Sequence, residues 1–439
     1  MYQVIILSSF IPLIFFVILF LTQFNSEIFK HYLVISIFSN QLLLFPFIGV
    51  NFVGVNEGGS IFTNLILVFS SGLPLLVLLI TRKPKIDKVI KRETKLSLEI
   101  VRISWIGLLI YAFFAAFTSE YKLMPIANTL IFAVLLFYII DGNLNFNTFL
   151  IAVYQLFSVF AAILTLTFIF KFNWDNYLHI RTEDLAWESG TYFSPLGNFF
   201  GFAPRQYGPF QSGQSSGLFS LFGFACYLGA QKESKSKLSL VALLSFGSCS
   251  GSRTFYLILV LILIFHFIKI ILPRAIILFW VTLMFVIIGL GFILYKYFLP
   301  FLSPNTSTLI NLTGRSTLWK FILNNWSSEG IFGHGPNTLR QAAIEQTYVG
   351  FAHAHNSFLQ ALWDYGIPGL LLLVLLILGL CIEASRDFSK RNQVISLVLV
   401  LLCVQSEPTL VIGTNLTTWF WLVPTSFVFS RDRATKDFI

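Results

Sequence analysis

Gly366-Ile-Pro-Gly-Leu-Leu-Leu-Leu-Val-Leu-Leu-Ile-Leu-Gly-Leu-Cys-Ile-Glu-Ala384 is the stretch that decides the fold class. It is apolar almost throughout. Its length matches the roughly 20 residues that a helix needs to cross a bilayer. Comparable runs fall near residues 3–22, 32–50, 62–80, 102–118, 124–140, 148–170, 216–230, 238–250, 254–272, 275–297, 394–406 and 415–430. Those at 238–250 and 394–406 are short and read as half-helices or tilted pieces. The pattern predicts an all-α, polytopic integral membrane protein with 12–13 transmembrane helices, built as a single membrane domain over residues 1–439.

Composition agrees. Of 439 residues, 56% are hydrophobic and only 11% charged, where a soluble domain carries about a quarter charged. So few charges cannot coat a water-soluble protein of this size, but they can cover the two ends of a bundle whose flank faces lipid. The 50 phenylalanines suit lipid-facing and bundle-filling positions. The net charge of +9 does not point to nucleic acid, because the basic residues cluster in short segments between apolar runs. Cys226, Cys249, Cys381 and Cys403 lie in or beside apolar runs without CxxC spacing, so they read as membrane-buried thiols. Met1-Tyr2-Gln3 leads straight into an apolar run, and that run reads as a retained helix rather than a signal peptide.

Charge sets the orientation. Arg82, Lys83, Lys85, Lys88, Lys91, Arg92 and Lys95 form one basic segment. Lys232/Lys235/Lys237, Arg386/Lys390/Arg391 and Arg431/Arg433/Lys436 form three more. All four are expected on the cytoplasmic side. The C-terminus is then cytoplasmic, while the N-terminus lies outside for 13 spans and inside for 12. Two longer polar segments fall on the opposite, outer face: residues 171–215, and residues 298–365 with short helices of their own. Loops of this length in a compact protein tend to be functional.

The second outer loop ends in Phe351-Ala-His353-Ala-His355-Asn356-Ser357-Phe358-Leu359-Gln360-Ala-Leu362-Trp363-Asp364-Tyr365. From Asn356 to Trp363 it reads as a short amphipathic helix, capped by Asn356 or Ser357. Gly366 is placed to stop that helix and Pro368 to begin the span. His355 then stands at the head of a helix near the mouth of the bundle. Two readings stand: a neutral imidazole that takes a proton from a hydroxyl near pH 7, or an interfacial histidine bonded to a neighbouring loop. Arg253, in Ser250-Gly-Ser-Arg253-Thr-Phe, occupies a tight polar hairpin between apolar runs, where arginine is costly unless paired or facing a cavity. Arg315 follows Gly314 and leads into an expected interfacial helix anchored by Trp319 and Trp326. Arg205 lies in the first outer loop, in Ala203-Pro-Arg205-Gln-Tyr-Gly208. Each arginine alone also reads as a headgroup contact. Three guanidiniums on the same face as one histidine suit a diphosphate and a nucleophile, because arginine grips phosphate bidentately and keeps its charge. The outer segments lack a DxD motif for a divalent metal, and the chain has no Walker motif and no glycosidase carboxylate pair. Gly333-His334-Gly335-Pro336-Asn337 reads as a turn rather than a phosphate loop.

These residues resemble the O-antigen ligase and polysaccharide polymerase superfamily of bacterial envelope enzymes. His355-Asn356, nine residues, then Gly366-Ile-Pro-Gly369 matches its ligase signature. Gly314-Arg315, Trp319 and Gly333-x-Gly335 resemble its long outer loop, and Ser252-Arg253 its upstream arginine. Arg205-Gln-Tyr-Gly208-Pro-Phe210 resembles its first arginine motif, although Gln211-Ser212-Gly213-Gln214 stands where that motif often continues with Pro-Asn. The resemblance covers roughly residues 200–370. It implies a metal-independent glycosyltransferase, without a cofactor, that uses a glycan carried on undecaprenyl diphosphate. Arg253 and Arg315, together with Arg205, would neutralise the leaving diphosphate. His355 would orient or deprotonate the acceptor hydroxyl, with Asn356 and Gly314 shaping the binding loop. The acceptor would be a sugar on a second lipid-linked repeat in a polymerase, or a lipid A–core sugar in a ligase. The sequence variety of polymerases inclines the reading slightly that way. Other implied partners are membrane lipids and a chain-length regulator or flippase. The implied location is the bacterial inner membrane, with the site facing the periplasm. A protein O-oligosaccharyltransferase, a lipid-linked glycan transporter and a non-catalytic scaffold are the competing readings.

Overall fold

A computed structural model describes residues 96–117, 123–141, 146–170, 213–230, 235–250, 252–271, 315–328, 331–335, 338–339, 342, 354–386, 395–396, 398–400 and 416–429. The chain is an all-α membrane protein, and the described residues contain no strand. In chain order the helices are α1 (Leu96–Ala116), α2 (Leu123–Ile140), α3 (Phe146–Ile169), α4 (Gly213–Gly229), α5 (Lys237–Cys249), α6 (Arg253–Ile271), α7 (Arg315–Asn325), α8 (Ser357–Arg386) and α9 (Leu416–Phe429).

Leu96–Ala116, Phe146–Leu166 and Ser357–Ala384 are long and apolar enough to cross a membrane, and five shorter apolar helices accompany them. The apolar runs at 3–22, 32–50, 62–80 and 275–297 lie outside the described residues, as does most of 394–406, so the count of 12–13 spans extends beyond them. Two edges move. α1 begins at Leu96, within a segment read as loop, and α4 begins at Gly213, inside the expected outer loop 171–215. α8 begins at Ser357 because the short helix and the following span join across a kink at Gly366.

Small residues let α1 and α8 approach closely, as they do in membrane bundles where apolar side chains gain little from leaving lipid. A Cβ on Gly107 would come 2.8 Å from Leu372 Cδ1, and one on Gly379 2.7 Å from Val101 Cγ2. Further along the pair, Ser97 Oγ donates to the buried Glu383 carboxylate. Trp105 on α1 donates its indole N–H to Thr425 Oγ1 of α9 (3.0 Å) and packs edge-on to Trp421. On the other side of the bundle, Phe157 of α3 stacks on Phe219 of α4 at 4.2 Å. Outward-facing Ile103, Ile110 and Phe114 on α1, and Val159, Ile163 and Leu166 on α3, are exposed at helical spacing and form the flank that lipid covers.

The register also sorts the two ends. Ser97 meets Glu383, the Arg102 guanidinium lies 5.9 Å over the Phe429 ring, and Phe146 packs on Phe427 at 4.9 Å. The start of α1, the start of α3 and the ends of α8 and α9 therefore share one end. Basic segments adjoin Leu96, Arg386 and Phe429 in the sequence. α5 runs from Lys237 toward the opposite end, so the turn before Arg253 lies toward the same end as His355.

Candidate functional site

The site is built on two short helical pieces at that opposite end. α7 buries Leu318, Phe321 and Ile322, an i, i+3, i+4 face, against Leu339, Ala354 and Trp363. Thr317, Lys320 and Leu323 form its open side. The first part of α8, Ser357–Tyr365, is half-buried at Phe358 and Leu359 and otherwise buried along its length. The expected short amphipathic helix is thus enclosed by protein. Its polar positions Gln360 and Asp364 are only 6% exposed each.

Hydrogen bonds fix the peptide that precedes His355. Trp319 donates its indole N–H to the Ala354 carbonyl at 2.6 Å, and the Ala354 N–H donates to Gln360 Oε1 at 2.8 Å. Gln360 Nε2 then donates to Asp364 Oδ1 at 2.9 Å. The backbone donor at Ala354 allows only one orientation of that amide. Trp319, expected as a lipid anchor, clamps the peptide that precedes His355. On the far side of His355, Asn356 Oδ1 accepts from the backbone N–H groups of Phe358 (2.9 Å) and Leu359 (3.1 Å), making it the N-cap of α8. Between these fixed neighbours His355 takes φ 50°, the left-handed region, which disfavours L-residues by roughly 1–2 kcal/mol. The ring is half-buried.

A second set of contacts braces the other end of the short helix. Gly366 adopts φ 66°, ψ −161°, a conformation essentially reserved for glycine. There the loop 331–335 docks through three backbone hydrogen bonds as well as a ring contact. His334 N–H donates to Trp363 O (2.8 Å), Gly335 N–H to Asp364 O (3.0 Å), and Ile367 N–H to Ile331 O (3.1 Å). The first two satisfy carbonyls that the short helix leaves open at the kink, and the third satisfies an N–H at the start of the following span. Gly333 and Gly335 have φ 79° and 86°, as the expected turn requires. A Cβ on Gly333 would sit 2.6 Å from Trp363 O, and one on Gly366 would overlap the Ile331 carbonyl. The His334 ring stacks on Trp363 at 3.9 Å and 8°, with Nε2 3.0 Å from Asn325 O. The indole N–H of Trp363 donates to Thr338 Oγ1 at 2.9 Å.

The arginines distribute as follows. Arg315 is the first residue of α7 and shares a helix face with Trp319, one turn away. Its backbone is thus carried by the element that holds Ala354. Arg253 is the first residue of α6, behind a serine cap in which Ser252 Oγ accepts from Phe255 N–H (3.3 Å) and Ser250 Oγ donates to Gly247 O (2.6 Å). Arg253, Arg315 and the His355-Asn356 pair each stand at the N-terminal end of a helix, where the peptide dipoles favour anions. Gly314 and Arg205 lie outside the described residues. The sequence reading missed Gln360 and Asp364, although their i, i+4 spacing in an expected helix was the available signal.

Residues 238–374 match the model of the O-antigen ligase family. The matched segment carries Arg253, Gly314, Arg315, His355 and Asn356, and excludes Arg205. It supports the O-antigen ligase and polymerase superfamily. No curated protein matches the chain.

Proposed function

We propose that this chain, with its O-antigen ligase segment, is a membrane glycosyltransferase of surface-polysaccharide biosynthesis. It transfers a glycan from undecaprenyl diphosphate to a sugar hydroxyl, at a site facing the periplasm of the bacterial inner membrane. The observation that carries this reading is the doubly clamped Ala354 peptide, which presents His355 beside the helix that begins at Arg315.

In this reading His355 takes the proton from the acceptor hydroxyl as the oxygen attacks the anomeric carbon. The glycosyl–phosphate bond breaks, and the leaving diphosphate takes the bonding electrons. Arg315 and Arg253, with Arg205, stabilise that charge by bidentate hydrogen bonds and need no metal. Gly314 lets the backbone before Arg315 approach the phosphate, and Asn356 positions the loop. The acceptor is another lipid-linked repeat in a polymerase, or a lipid A–core sugar in a ligase. A lysine cannot reproduce the two-pronged grip, so Arg315→Lys is expected to lose most activity. Near-normal glycan in that variant counts against the diphosphate role.

The test is the envelope glycan ladder of a deletion strain. A single repeat left on the lipid anchor identifies a polymerase. Long chains that persist on undecaprenyl diphosphate without reaching the anchor identify a ligase. Glycan missing from an envelope protein, with lipid-linked glycan unaltered, identifies a protein O-oligosaccharyltransferase. An unchanged ladder removes the enzyme reading.

A further inference from the structure

We propose that Ile331 and Phe332 form a foot, inserted among the acyl chains of the outer leaflet, that ties the His355 helix to the membrane surface. The inference starts from depth. α1 has 21 residues, which at 1.5 Å per residue just spans the roughly 30 Å hydrocarbon layer, so Ala116 marks its outer limit. Phe332 stacks on Tyr111 with ring centroids 6.3 Å apart. Tyr111 lies five residues before Ala116, about 7 Å inside that limit. Side chains on a helix lean toward its N-terminus, which carries the Tyr111 ring away from the outer surface. The loop therefore reaches below the mouth of the bundle.

Exposure gives the direction. Ile331 is 55% and Phe332 60% exposed, although both are large and apolar. Their neighbours at this level, Ile110 and Phe114 on α1 and Ile367 and Leu371 on α8, are exposed too. The patch continues the lipid-facing flank of two spanning helices, so its occupant is lipid acyl chain rather than a protein partner.

The backbone explains how a loop tolerates this depth. Irregular backbone at membrane depth survives only where its polar groups are met by protein. Here the Ile331 carbonyl and the His334 and Gly335 N–H groups all bond to the kink of α8. The large apolar side chains of Ile331 and Phe332 face outward. The same three bonds connect the foot to the short helix behind His355. Lipid contact thus sets the height of that helix at the interface, where a hydroxyl on a lipid-anchored molecule is presented.

The experiment places a nitroxide at Phe332→Cys in the full chain, reconstituted in phospholipid nanodiscs. Collisions with oxygen, which partitions into lipid, are compared with those of a water-soluble nickel chelate. Phe114→Cys serves as the lipid reference and the exposed loop residue Ser328→Cys as the aqueous one. The unsubstituted chain, whose Cys226, Cys249 and Cys381 are buried, supplies the labelling background. The proposal expects position 332 to match position 114, with oxygen collisions dominating. Accessibility to nickel like that of position 328 overturns it. Should Phe332→Cys fail to fold, Ile331→Cys gives the same two-way readout.

Discussion

The two glycines Gly107 and Gly366 are both places where a methyl group would collide, yet they belong to regions assembled by different rules. At Gly107, in the bundle, the neighbours are the end atoms of the Leu372 side chain, which can turn aside. At Gly366, in the outer module, the neighbour is the Ile331 carbonyl, and φ is positive. The bundle is specified by apolar faces and small residues, and tolerates exchange of similar volume. The outer module is specified by backbone meeting backbone and by single hydrogen bonds, with few interchangeable parts.

That difference is open to breaking by substitution. Gly366→Ala is expected to have the largest effect. It adds roughly 1–3 kcal/mol of backbone strain before the overlap with Ile331 is counted, so it should undock loop 331–335 and abolish transfer. The check is thermal unfolding in detergent together with protease sensitivity of the loop. Asn356→Ala comes next. Loss of the cap should cost about 0.5–2 kcal/mol, read as a lower melting temperature, while Asn356→Asp keeps an acceptor and retains most stability. Gly107→Ala should be mildest: adding a methyl to a packed contact costs about 1–3 kcal/mol, and this site falls at the low end because only the end of the Leu372 side chain must turn aside. Equal losses for Gly107→Ala and Gly366→Ala would erase the distinction between the two regions.

The same distinction governs what the sequence reveals. The apolar runs at 124–140, 238–250 and 415–430 match α2, α5 and α9 to within a residue at each end, because an apolar bundle helix is specified by composition and length. The start of a helix just after His355 was legible from local spacing, with Asn356 as one of two candidate caps. The kink at Gly366 followed from a glycine before a proline at the head of an apolar run. The Trp319–Ala354 and Gln360–Ala354 bonds were not legible, since they join positions that periodicity does not relate. Nor was the docking of Gly333-His334-Gly335, which combines backbone bonds open to any residue with a His334–Trp363 ring contact between positions that periodicity does not relate. Trp319 was read as a lipid anchor because an indole near a membrane surface usually has that role. Only the fold brings the Ala354 carbonyl within its reach.

In the proposed reaction His355 performs the proton transfer that accompanies glycan transfer. The direct measurement is the turnover of purified protein in lipid nanodiscs, supplied with an undecaprenyl-diphosphate-linked glycan and an acceptor, with EDTA present. His355→Ala should lower the rate by roughly 10²–10⁴-fold at an unchanged melting temperature, while the wild type works through the chelator. A His355→Ala enzyme within a few-fold of wild type would contradict the assignment.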